Sequence, residues 1–267
     1  MTVAILVVPS VTKLPPEADG AVIVGGSHAA LYAAHVVAKA GARAAIHHDA
    51  GIGFEEAGVA GLALAQELGM AMAAVDSASA RIGEAEDMMR RGIVSRANAL
   101  AAVCGVAPGQ TCAEAAERLK AAPWPHRAPP ARAEGRSVFE AKAGRRKIIC
   151  IDSATLILPE DRDQVVATGS HGAAASGQVV APVQPALVLY NDAGFGADRA
   201  GAAGLSILNN AGIAGATVAA LSAKIGDGRS TLTKGVLSAV NEAAYRLGGR
   251  VGGSALALAR LVAEKAV

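Results

Sequence analysis

Short apolar runs alternate with longer amphipathic stretches along this chain, and the alternation occurs twice. Residues 4–9 form an apolar run, followed by a Pro-containing loop and a second run at 21–24. Strand-length apolar runs recur at 42–47 and 70–75. The stretches between them, 29–39 and 55–68, carry helical periodicity and end at Gly41 and Gly69, where a helix stops readily. A third helix is predicted over 95–103. Strands alternating with 10–15-residue helices imply a parallel sheet with crossover helices. Uniformly apolar strands, rather than clean alternation, imply that both sheet faces are covered.

The pattern then starts again. Residues 5–105 lie over 148–248 without a gap, and about a third of the positions are identical. Gly26-Ser27-His28 recurs as Gly169-Ser170-His171, and Asp49-Ala50-Gly51 as Asp192-Ala193-Gly194. Ser79-Ala80-Arg81 recurs as Ser222-Ala223-Lys224, and Asn98 as Asn241. The expected fold class is therefore α/β: two tandem repeats, each a small parallel sheet with crossover helices, related by a pseudo-twofold. The division expected is a first repeat over 1–108, a helix and Pro-rich connector over 109–146, a second repeat over 147–250 and a C-terminal helix over 251–267. Within the connector, Thr111 and Glu114 have the spacing of a capping box for a helix to about residue 121. Residues 137–141 and 145–151 suit a hairpin leading into the second repeat.

Composition narrows the function classes. The 267 residues hold one Trp, three Tyr and three Phe, so the core must be Ala, Val, Leu and Ile, and base-stacking surfaces are not expected. A net charge of +2 gives no reason to expect a polyanion partner. The basic stretch over 127–147 reads as a solvated linker. Cys104, Cys112 and Cys150 have no zinc or CxxC spacing and fit a reduced compartment. The charge-free stretches 164–191 and 200–223 contain Pro, Asn, Ser and His, so a buried core explains them better than a membrane span. No leader is expected, and the expected location is cytoplasmic. The Ala- and Gly-rich helices suit close subunit contacts, and a homo-oligomer is expected.

The duplicated polar residues fall at predicted strand ends, where ligands bind in parallel α/β sheets. Gly26 and Gly169 permit a tight turn, and Ser27 and Ser170 stand where each would cap a following helix. Free amides there would make a small anion or oxyanion site. Asp49 and Asp192 end the neighbouring strand, within reach of His28 and His171 if the strands pair side by side. Such a carboxylate would orient the imidazole and raise its basicity. Arg81 and Lys224 would orient a carbonyl or carboxylate. Ser79, Ser222, Asn98 and Asn241 would supply further hydrogen bonds. Each has a structural alternative: caps for the serines, turn-ordering for the aspartates, ion pairs for Arg81 and Lys224. His47 and His48 point to opposite faces of a strand, so no metal is expected, nor any cofactor.

The function expected from these residues is an enzyme, a hydrolase or lyase, acting on a small polar metabolite. The reaction class is hydrolysis of an amide or imide C–N bond, cyclic imides included, with a His–Asp general base. The alternative is a non-catalytic module that binds a small anion or nucleotide.

Overall fold

The computed structural model describes residues 3–125 and 127–264. The chain divides into two compact units. Unit 1 holds the described residues up to Ile52, Glu56–Ala133 and the short segment Gly196–Asp198. Unit 2 holds Gly53–Glu55, Glu134–Phe195 and the described residues from Arg199 onward.

In unit 1 the strands are β1 (Ile5–Val8), β2 (Val22–His28), β3 (Ala44–His48), β4 (Ala71–Val75) and β5 (Val94–Ala97). They lie side by side in that order. The first four run parallel, whereas β5 is antiparallel to β4, so the sheet is mixed and not purely parallel. The apolar strands explain the layering. Side chains alternate across a strand, so one run serves two cores. Ile23, Ala45 and Met72 pack with Ala33, Ala34 and Val37 of α1 (Leu31–Lys39) and Ala65 of α2 (Gly61–Leu68). Val24, Ile46 and Ala73 face the other way, onto Met88 of α3 (Ala85–Arg91), Ala101 of α4 (Ala99–Val103) and Leu119 of α5 (Cys112–Leu119). The expected capping box is present at α5, with Thr111 and Glu114 each satisfying a backbone amide of the other.

Three local expectations change. Residues 95–97 belong to a strand, not a helix, and the helix begins only after Asn98. The stretch from Glu55 starts as a 3₁₀ turn with Glu55 at φ +52°, and α2 opens at Gly61. The helix α3 lies where none was expected.

Unit 2 begins with β6 (Arg136–Glu140), antiparallel to β7 (Ile148–Ile151), which is the expected hairpin. The strands β8 (Val165–His171), β9 (Leu187–Asn191) and β10 (Ala214–Val218) continue in parallel, and β11 (Leu237–Val240) closes the six-stranded sheet antiparallel. On one face lie α6 (Ala174–Val180) and α7 (Gly204–Asn210). On the other lie α8 (Gly228–Lys234), α9 (Glu242–Arg246) and α10 (Ala255–Ala263). The last helix is the expected C-terminal one, with Ser254 as its cap; residues 265–267 lie outside the described residues. Among the described residues no helix is long and apolar enough to cross a membrane.

Candidate functional site

In both sheets the strands follow chain order, with no reversal between neighbours. A sheet of this kind lacks the crevice that opens where strand order reverses. Most of the candidate residues nevertheless gather at the carboxyl ends of the parallel strands; Asn98 and Asn241 do not, since they bond the backbone at the start of β4 and β10, the opposite, amino ends.

His28 is the last residue of β2 and pairs in register with His48 of β3. His171 ends β8 and pairs with Asn191 of β9. Both imidazoles are half-buried. Burial pushes the His28 imidazole down to about 4, and His48 beside it adds to the shift. In unit 2 the Nδ1 of His171 accepts from the Ala173 amide at 3.4 Å.

Neither serine caps a helix. The strand continues through Gly25, Gly26, Ser27 and His28, and α1 starts three residues later with Ala30 at its cap and no side chain bonded there. Instead Ser27 Oγ accepts from the Val11 amide at 3.2 Å, and Ser170 Oγ from the Ala154 amide at 2.8 Å. Both ties hold the loop after the neighbouring strand, β1 in unit 1 and β7 in unit 2. Gly26 and Gly169 serve close approach: a Cβ on Gly26 would stand 2.6 Å from Pro9 O, and one on Gly169 2.4 Å from Asp227 N.

The aspartates order turns. Asp49 Oδ1 accepts from Gly51 N and Ser77 N, both at 2.9 Å, and Oδ2 from Ser95 Oγ at 2.8 Å. Asp192 Oδ1 accepts from Gly194 N and Ala220 N, also at 2.9 Å. None of these partners is an imidazole, so the expected His–Asp pair is not assembled. Each aspartate is followed by a turn in the left-handed region: Ala50, Gly51, Ile52 and Gly53 in one copy, Ala193, Gly194, Phe195 and Gly196 in the other. Eight of the ten described non-glycine residues with positive φ fall in these two loops, at 50, 52, 55, 56 and their counterparts. Such residues cost about 1–3 kcal/mol each and persist only where their surroundings enforce them.

Ser79 Oγ donates to Asp76 O and accepts from Ile93 N, while Ser222 does the same with Ala219 O and Val236 N. Asn98 caps α4 and also bonds Met72 N and Met70 O; Asn241 caps α9 and bonds Gly215 N and Ile213 O. These amides are spent on the backbone. Within unit 1 the Arg81 guanidinium pairs with Asp198 at 2.8 Å and Glu84 at 3.2 Å. Within unit 2 Lys224 pairs with Glu55. Arg91 and Arg81 hold the Asp198 carboxyl below its usual range, and Lys224 does so for Glu55. Both cations are therefore already balanced by carboxylates.

The burial of His47 and of Glu134 is not among the expectations drawn from the sequence. His47 lies fully buried against Gly25, on the opposite face from His48; burial pushes it down to about 4, His28 adds to this, and the carbonyls of Gly25 and Ser27 oppose it. Glu134, in the basic stretch expected to be a solvated linker, is half-buried at the carboxyl end of β7. Burial and the neighbouring Asp152 push it up to about 7, against a bond from Ser153. Extending the expected hairpin outward would have found it: Arg136 pairs with Ile151, Gly135 donates to Asp152 at 2.6 Å, and Glu134 comes next.

Among the described residues no cluster of three His, Cys, Asp or Glu is placed to hold a metal ion. A surface hollow in unit 2, lined by Glu140, Lys142, Arg145 and Arg260, includes none of the candidate residues. Comparison with protein-family models, curated proteins and solved structures finds no match for this chain.

Proposed function

We propose that this chain is an enzyme that hydrolyses the C–N bond of a small polar amide or imide, with His28 and His171 as general bases. One observation carries the reading. In both units a half-buried imidazole at the end of one strand stands beside a strained left-handed turn at the end of the next. Local strain repeated at the carboxyl end of a sheet is the usual mark of a site that must hold a fixed geometry.

The chemistry follows from protonation states. An imidazole pushed down to about 4 is neutral at pH 7, the form that takes a proton from water. In unit 1 the first-turn amides of α1, which no side chain caps, begin three residues beyond His28 and suit a developing oxyanion. In unit 2 Glu134, held at about 7, is half protonated near neutrality and suits protonation of a leaving nitrogen. The aspartates and serines named in the sequence reading act in this scheme through the loops they tie, and Arg81 and Lys224 through their ion pairs.

The test is turnover of a panel of five- and six-membered cyclic imides and linear amides by the full chain. His28→Ala and His171→Ala, singly and together, should lower kcat by about 10²–10⁴-fold while the fold persists. Turnover untouched by the double variant sinks the reading. Saturable binding of a panel compound without turnover moves it to a binding module.

A further inference from the structure

The two sheets differ at one edge. In unit 2, β7 has β8 on one side and the antiparallel strand β6 on the other. Its residues Ile148 to Ile151 are 0–4% exposed. In unit 1 the corresponding strand is β1, which among the described residues pairs with β2 alone. All four of its residues, Ile5, Leu6, Val7 and Val8, remain half-exposed.

The remaining edges are managed. The outer side of β5 is bonded by the segment after α4, through Val94 to Gln110 and Gly109 to Val94. The outer side of β11 is bonded likewise by Gly252 and Gly253 at Leu237. The edge of β6 carries Arg136 and Glu140 and an irregular register near Val138. Charges and irregularities of this kind stop one sheet from adding to another. Among the described residues no strand or backbone bond covers the outer side of β1, and its four residues carry no charge.

We propose that the outer edge of β1 is an interaction surface that takes the β1 strand of a second copy of this chain, antiparallel, joining two five-stranded sheets. The strand at the corresponding edge of unit 2 shows the geometry that fits there, and it is antiparallel, as two strands related by a twofold must be. Residues 3 to 11 read Val-Ala-Ile-Leu-Val-Val-Pro-Ser-Val, so self-pairing sets no like charges opposite one another. Pro9 ends the pairing after Val8, which keeps the contact short and the association concentration-dependent.

Sedimentation of the full chain across a wide concentration range reads the mass, and amide hydrogen exchange reads the site. The expected result is a monomer–dimer equilibrium in which exchange at Ile5–Val8 slows about tenfold as the dimer fills. Leu6→Lys should shift the equilibrium to monomer and abolish that slowing. Because Leu6 also packs against the core, circular dichroism and the exchange of β3 and β4 amides must show the variant folded. A monomer at every concentration overturns the proposal. So does a dimer in which Ile5–Val8 exchanges as in the monomer, since the contact then lies elsewhere.

Discussion

His48 and Asn191 make the same two hydrogen bonds at corresponding positions of the two units. His48 Nε2 donates to Ala80 O at 3.0 Å and Nδ1 accepts from the Ala50 amide at 3.1 Å. Asn191 Nδ2 donates to Ala223 O at 3.0 Å and Oδ1 accepts from the Ala193 amide at 2.8 Å. An amide and an imidazole are interchangeable here because each offers one donor and one acceptor at similar reach. The two bonds settle the tautomer of His48 as the neutral form protonated on Nε2. A second proton on Nδ1 would face the Ala50 N–H. Burial, chiefly, holds the His48 imidazole below its usual range, against the Ala80 carbonyl, Asp49 and Asp76.

Acid sensitivity of unit 1 follows. A histidine whose folded pKa lies below its unfolded value favours folding above the unfolded value of 6.5, and that contribution is lost as pH falls towards 4. For the fully buried His47 the loss is about 2–3 kcal/mol, and His28 acts in the same direction. His48→Asn copies the bonds seen at Asn191 without a titrating group. It should stay within about 1 kcal/mol of the parent at neutral pH and lose less on acidification. Asn191→His should make unit 2 acid-sensitive. Hydrogen exchange, followed unit by unit at pH 7 and near 5, tests both. Equal acid loss in the parent and in His48→Asn would remove His48 from the account.

The same pairs show what the sequence made legible. The repeat, the parallel strands and the capped α5 could be read because apolar periodicity and capping chemistry are local. The extension of β2 through Gly25, Gly26, Ser27 and His28 could not. Gly and Ser are poor strand formers, and the strand is held there by a tertiary contact, with Gly83 N donating to Gly26 O at 2.8 Å. Residues 95–97 read as helix because their polar and apolar positions fit either period. Asp49, Ser79 and Asn98 stood out as chemistry because sequence shows that a side chain is polar, not whether it faces solvent or its own backbone. Their duplication records a loop architecture needed twice.

Gly25 is required by His47. A Cβ at position 25 would lie 2.7 Å from His47 Cε1 and 2.8 Å from Val11 Cγ1. Unit 2 solves the position differently, with Thr168 there and Tyr190 in place of His47, the tyrosine hydroxyl donating to Ser176 O at 3.2 Å. Gly25→Ala should therefore cost about 1–3 kcal/mol by overpacking. In His47→Ala the space is vacated, so the double variant should lose less than the two single losses added together. Additive losses in urea unfolding would mean that the two positions do not compete for the same volume.

Glu134 gives unit 2 the opposite pH response. Its folded pKa is raised from 4.5 to about 7, so the native state holds an extra proton between those values. Its contribution to stability is complete below pH 4.5 and is lost as pH rises through 7. Glu134→Gln removes the penalty and should stabilise unit 2 above pH 7 by about 1–2 kcal/mol after solvent screening, with no gain in acid. An equal gain at both pH extremes would point to packing rather than charge.

Arg136 neutralises a carboxylate that has no access to water. Asp161 is 0% exposed and takes two bonds from the Arg136 guanidinium, at 2.6 and 2.9 Å, besides one from the Leu158 amide. Removing the cation strands the charge, so Arg136→Ala should cost about 3–5 kcal/mol. Arg136→Lys should recover only part, because an ammonium cannot present the planar fork that engages both oxygens. Adding Asp161→Asn to Arg136→Ala removes the stranded charge and should return part of the loss; a double variant no better than the single would show that the loss is one of packing. Arg136 opens β6, so the damage should concentrate there, with β6 amides exchanging faster while those of β9 and β10 hold. Uncovering β7 in this way would leave unit 2 with the same bare apolar edge that β1 presents in unit 1. Concentration-dependent association that is stronger in Arg136→Ala than in the parent is therefore the expected companion of its lost stability.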